Sequence, residues 1–517
     1  MFKILVYNIL FSMKSFVAVA AFLLTMCCVK AQRVIYTEPN RNDIRQTEFE
    51  IVGKVGGNIL IYKSLRENYS MSVYDMDMKQ KDRVKLGYLP DKIINADFLA
   101  YPDHCYMFYQ YQRRNIVYCM AAKIDGNGKL ASEPVTMDTT EISFFASNKI
   151  YSVINSDDKE RIGVFKINSK NERNHLVTTL LFDKNLQKIE KNYLSIDMPE
   201  RHDYLTEFTV DNNGDFVFAR AVQSQQNDNI QKLYLLYKIA GSPEVKETEI
   251  PLKNQYLDDI RIKVDNYNKR YIISSFYSKS RQGNIEGLFS CIWNKPEQAI
   301  QTTVFMPFDE NLRNEAKGDN GIKTAFNDYF IRNLIVKKDG GFLLAAESFF
   351  TTGRGGAYNR YDYLYGSPFL RPMDYYMFSP YGYGYGYPWW RYNSLGQSTR
   401  YNAQNVVVFS FDSTGNIEWR NIISKNQYDD ETDAFIGYAM VNMGNQLHFL
   451  FNQQEKRMQL LTDQSISPEG QISRNPTLKN LDKGYDFMPR YGKQIGSRQI
   501  VFPCMYRNYL CFARLDF

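Results

Sequence analysis

Residues 406–419 read Val406-Val407-Val408-Phe409-Ser410-Phe411-Asp412-Ser413-Thr414-Gly415-Asn416-Ile417-Glu418-Trp419. The apolar run describes a strand covered on both faces. The Asp, Asn and Gly that follow supply turn chemistry, and the polar–apolar alternation after them describes a strand with one wet face. The same order recurs at 120–130, around Ile124-Asp125-Gly126-Asn127-Gly128, and at 180–189, around Phe182-Asp183-Lys184-Asn185. Looser copies lie near Val73, Leu235, Cys291 and Leu460, and Cys511-Phe512-Ala513-Arg514-Leu515-Asp516 starts another.

A second hairpin precedes most of these copies, best seen at Phe208-Thr209-Val210-Asp211-Asn212-Asn213-Gly214-Asp215-Phe216. Each repeat therefore reads as a four-stranded meander whose inner strands are apolar and whose outer strand is half solvated. The units fall at 48–90, 93–138, 142–199, 205–252, 257–308, 330–424, 433–478 and 483–517. The last lacks a fourth strand, which Arg33-Val34-Ile35-Tyr36-Thr37 could supply, pairing the N- and C-terminal strands in one sheet. Sheets packed side by side around an axis give this environment. The chain resembles a β-propeller: an all-β fold of about eight four-stranded blades, with seven blades or two adjacent sandwiches as the alternatives. Asp412 to Trp419 resembles the Asp…Gly…Trp turn of quinoprotein-type propellers, in which the Trp docks one blade on the next. Only this unit carries the Trp, so the resemblance implies a fold and no catalytic residues.

Composition fits that reading. Of 517 residues, 39 are Tyr and 34 Phe, side chains suited to pleated, half-buried surfaces. The net charge of +6 falls to +3 beyond residue 31, which excludes the basic footprint of a nucleic-acid binder. Residues 1–31 have the parts of a secretory signal: Lys14, an apolar run from Phe16 to Leu24, and Val29-Lys30-Ala31 before Gln32, with Met13 an alternative start. Export to the periplasm or cell surface is expected, with a lipid anchor on Cys27 less favoured because Met26 is too large for a lipobox. Residues 32–517 contain no membrane span by hydropathy. They hold five cysteines, too few and too scattered for a disulfide framework. A two-residue turn at Arg507-Asn508 would set Cys504 opposite Cys511, either as a cross-strand disulfide or as two buried thiols.

One segment breaks the rule. Residues 352–404, inserted between the second and third strands of unit six, hold 12 of the 39 tyrosines and two of the four tryptophans. Loops of this length inside a domain are usually functional or disordered. Tyr and Trp give broad, rigid contact area with polar edges, so Tyr381, Tyr383, Tyr385, Tyr387, Trp389, Trp390, Arg391 and Tyr392 are the candidate ligand-binding residues. A flexible tract without a partner, or a lid on the fold itself, are the competing readings. No metal-ligand spacing, nucleophile elbow, phosphate loop or dinucleotide fingerprint is evident, and no cofactor is expected. His448, in an apolar strand, reads as a hydrogen-bonded core residue. Asp211 to Asp215 reads as a tight turn, its Gly misplaced for a calcium loop. The expected role is non-catalytic binding or scaffolding in a bacterial cell envelope, through the aromatic loop, with an envelope protein as partner. The alternative is a carbohydrate-binding or carbohydrate-cleaving protein, marked by two or three carboxylates beneath the insertion.

Overall fold

Asp412 Oδ1 accepts the backbone N–H groups of Thr414 and Asn416 at 2.8 and 2.9 Å, and Gly415 takes a φ of +87° that a side chain would resist. The same pair of bonds, to the second and fourth residues onward, forms at Asp75, Asp125, Asp183 and Asp211. One side-chain device thus turns the backbone between strands throughout the molecule. The computed structural model describes residues 32–517 apart from 44–46, 144, 147–148, 172, 201, 226–227, 318–325, 354–398, 431, 456–457 and 476–483.

The described chain is all-β apart from short helical turns and one helix, Glu310–Lys317, and its strands pair antiparallel in seven sheets. The sheet formed by Thr47–Val55, Asn58–Leu65, Asn68–Tyr74 and Gln80–Lys85 shows the plan: an in-order meander with two buried central strands and an exposed fourth. Further four-stranded groups span 95–141, 152–197, 203–250, 256–307, 329–423 and 438–474. Groups four and five merge into one eight-stranded sheet through a single residue pair, Ile230 with Leu257. In the eighth group the first strand is split into Tyr485–Phe487 and Lys493–Gly496 around a 3-10 turn at Pro489–Tyr491. Gln499–Tyr506 and Tyr509–Asp516 follow, and Arg33–Tyr36 completes the sheet with Arg33 opposite Asp516 and Tyr36 opposite Ala513.

Burial explains the composition of each strand. The second strand of group four, Phe216–Gln223, is buried throughout, whereas its fourth, Val245–Ile250, is largely exposed. The cores lie between sheets. Separate apolar clusters join groups one and two, two and three, three and four, and four and five. Others join five and six, six and seven, and seven and eight, and the cluster of Phe49, Ile51, Val501 and Phe512 returns from eight to one. Leu312 and Ala316 of the helix sit in the cluster between groups five and six.

Turn-to-turn bonds put the connections between first and second strands, and between third and fourth, at one end of neighbouring sheets. Gly56 N–H donates to Pro102 O, and Asn58 to Gly126 O. Lys159 donates to Ala100 O, Asp158 N–H to Asn212, and Asn212 N–H to Asn266. Trp419 Nε1 donates to Pro468 O of the next group at 2.8 Å, and a Cβ on Gly470 would lie only 2.7 Å from its ring. The connections from second to third strands, and from one group to the next, leave at the opposite end.

Candidate functional site

The long insertion leaves from that opposite end. Phe342–Gly353 and Thr399–Phe411 pair with Gly353 opposite Thr399, so both ends of the inserted segment meet at one point. Tyr381, Tyr383, Tyr385, Tyr387, Trp389, Trp390, Arg391 and Tyr392 lie outside the described residues. At its base, Arg400 grips Asp430 with two bonds of 2.6 and 3.1 Å and covers the Tyr428 ring. Further in, Glu347 is buried against Lys425 (2.8 Å) and Arg332 (3.3 Å). Burial alone would raise this carboxyl, but Lys425, Arg332 and Arg490 hold it below the usual carboxylate range.

A cleft of about 340 Å³ opens at the same end between groups one and two. Its walls come from the first strand of group one (Glu48, Phe49, Glu50), the turn at Arg66 and Glu67, and the connection Lys92 to Ala96. Tyr62, Ser64 and Tyr69 complete it. The Tyr69 hydroxyl donates to Asp91 O and accepts the Ile93 N–H, which pins the connection as a wall. Strand periodicity sends Glu48 and Glu50 to one face of their strand. Glu50 is 3% exposed; Lys493 stands 3.9 Å from one carboxyl oxygen, and the other has no hydrogen-bond partner. Burial raises this carboxyl well above the usual range; Lys493 opposes and Asp97 reinforces the shift. Burial also raises Glu48. The cleft therefore gathers three carboxyl groups, the buried Glu50 and the exposed Glu48 and Glu67.

The first strands of the groups carry further buried charge where they run side by side. Glu207, at a bulge with φ +57°, accepts the N–H of Ile262 and a bond from Arg261, both on the first strand of the next group. Burial drives its carboxyl up to about 8 against the pull of Arg261. These contacts tie the first strands of neighbouring groups together. Asp211 and Asp215, the calcium-like acids, both pair with Lys295, and Asp211 also accepts the Tyr271 hydroxyl. An ammonium fills the position a cation would need. His448 pairs with buried Asp463 at 2.9 Å. Among the described residues no cluster of His, Cys, Asp or Glu has metal-binding geometry, and no helix is long and apolar enough to cross a membrane.

Cys504 and Cys511 lie directly opposite one another, as the turn at Arg507 (φ +48°) and Asn508 (φ +67°) dictates. Their sulfurs are 2.9 Å apart, unbonded and fully buried. The cleft itself was not evident from sequence. The Glu48-Phe49-Glu50 alternation signals two acids on one strand face, but the opposing wall belongs to a different group.

No family model and no curated protein matches the chain. Solved structures resemble it at low identity. A prolyl endopeptidase aligns at 8% identity and TM-score 0.35, covering 83% of this chain, which spans 55% of that protein's length. A polysaccharide lyase, PL25 ulvan lyase, aligns at 10% and 0.34 over 80% of this chain and 90% of its own. Synechocystis apocarotenoid oxygenase aligns at 9% and 0.34 over 76% of each. Likeness of this degree carries no activity across.

Proposed function

We propose that the chain is a single eight-bladed β-propeller of a bacterial cell envelope, exported through residues 1–31, that binds a partner without transforming it. The fold reading is supported by the circuit of shared cores that returns from group eight to group one. The binding reading rests on the cleft between groups one and two. The other buried charges considered above are ion-paired, whereas Glu50, which lines the cleft, keeps one buried carboxyl oxygen without a hydrogen-bond partner. A buried polar group without a partner costs about 1–3 kcal/mol, which a bound hydrogen-bond donor would recover. The insertion within 352–404 leaves from the same end of its sheet, so an envelope protein held by the aromatic loop could also place a donor side chain in the cleft.

The second reading is a carbohydrate ligand. Three carboxylates (Glu48, Glu50, Glu67) and two tyrosines in a cleft of sugar-ring size favour it.

Binding of the exported form to a glycan array and to envelope extracts, repeated with residues 357–400 deleted and with Glu50→Gln, separates these readings. Capture of one polypeptide, lost in both variants, supports the protein partner. Glycan binding lost only in Glu50→Gln supports the sugar. Capture that both variants retain contradicts the proposal.

A further inference from the structure

Two of the five buried cysteines are placed to react with each other. Cys105, Cys119 and Cys291 lie in three separate cores, between groups one and two, two and three, and four and five. Cys504 and Cys511 share the core of the closing sheet, on its two central strands. Counting back from the two-residue turn, Tyr506 faces Tyr509, Met505 faces Leu510, and Cys504 faces Cys511. Facing residues in an antiparallel ladder have Cα atoms roughly 4.5–5.5 Å apart, inside the span a disulfide bridges. The sulfurs already approach to 2.9 Å, and Cys511 Sγ also lies 3.2 Å from the Cys504 carbonyl oxygen. Neither strand has to move far for a bond of about 2.05 Å to form.

We propose that Cys504 and Cys511 form a dithiol–disulfide couple that fastens the closing sheet. The oxidant is a low-molecular-weight disulfide. One cysteine, as thiolate, attacks it, forming a mixed disulfide and expelling one thiolate of the oxidant. The second cysteine gives up its proton and attacks the protein sulfur of that mixed disulfide, expelling the other thiolate. The protein loses two hydrogens and the oxidant becomes two thiols. Both sulfurs are fully buried in the folded sheet, so exchange takes place during folding or when the hairpin opens. The hairpin tip is its weak point: Tyr509, beside the turn, is 41% exposed.

The sequence supplies a direct test, because Arg507 separates the two cysteines. The full chain is refolded with excess oxidised glutathione, capped with N-ethylmaleimide in denaturant and cut with trypsin without reductant. The expected product is peptide 499–507 joined to peptide 508–514, two hydrogens lighter than the two free peptides and split by dithiothreitol. Recovery of both peptides as capped monothiols, or of either with glutathione still attached, would overturn the proposal. A Cys504→Ala/Cys511→Ala double variant controls for structure. Dithiothreitol should lower the Tm of the oxidised wild type and leave that of the double variant unchanged; an equal effect on both also overturns it.

Discussion

Lys63 Nζ donates to the Tyr74 hydroxyl at 2.9 Å and lies 5.2 Å from the centre of the Phe512 ring, so an amine is buried in the seam where the first sheet meets the last. Burial, helped by Arg83, lowers its pKa from 10.5 to about 7. The unfolded chain then holds one more proton than the folded one between those two values, so stability rises with pH across that window. Below about pH 7 the full penalty applies, on the order of a few kcal/mol. Lys63→Met should raise Tm at pH 6 and flatten the rise between pH 7 and 10. Thermal melts of both proteins from pH 6 to pH 10 provide the check.

Trp419 and Gly470 lock groups six and seven together. Trp419→Ala removes both the bond to Pro468 and the ring contact, and should cost roughly 2 kcal/mol. Gly470→Ala forces a Cβ against that ring at a φ of +84° and should cost a similar amount. The double variant should cost less than the sum of the two, because each change destroys the same contact. Denaturant midpoints of the cycle measure this.

Lys295 is shared by Asp211 and Asp215. Lys295→Met removes the one cation that two buried carboxylates share, leaving them their hydrogen bonds alone, and should cost about 3 kcal/mol. Calcium at millimolar concentration should leave the wild-type Tm unchanged, since the ammonium already occupies the site. Differential scanning fluorimetry tests both expectations.

Glu50 behaves in the opposite sense to Lys63. With its pKa raised in the folded state, the folded chain holds the extra proton and stability falls as pH climbs above 4.5 through the folded value. Glu50→Gln keeps the shape and removes that fall, so the variant should match wild type at pH 4 and exceed it at pH 8. Thermal melts at the two pH values decide it.

The strand plan was legible because it is local. Apolar runs, outer-strand alternation and the Asp-to-Gly turns at Asp125 and Asp412 are written within a few residues of one another. The pairing of Arg33–Tyr36 with the last strand was legible because one sheet was short of an outer strand. The cleft was not, since Glu50 and the wall at Ile93 and Ile94 lie in different groups and meet only after packing. Nor was Glu207, whose bulge and partners on the next first strand have no local signature. The merging of groups four and five through Ile230 and Leu257 depends on how closely two sheets approach, a distance no local pattern encodes.

Single-particle imaging of the purified chain tests the account most directly. One ring of eight similar blades around a central channel is predicted, with the blade containing Gln499–Asp516 packed against the blade containing Thr47–Lys85. Two separate lobes, or a gap between those two blades, would contradict it.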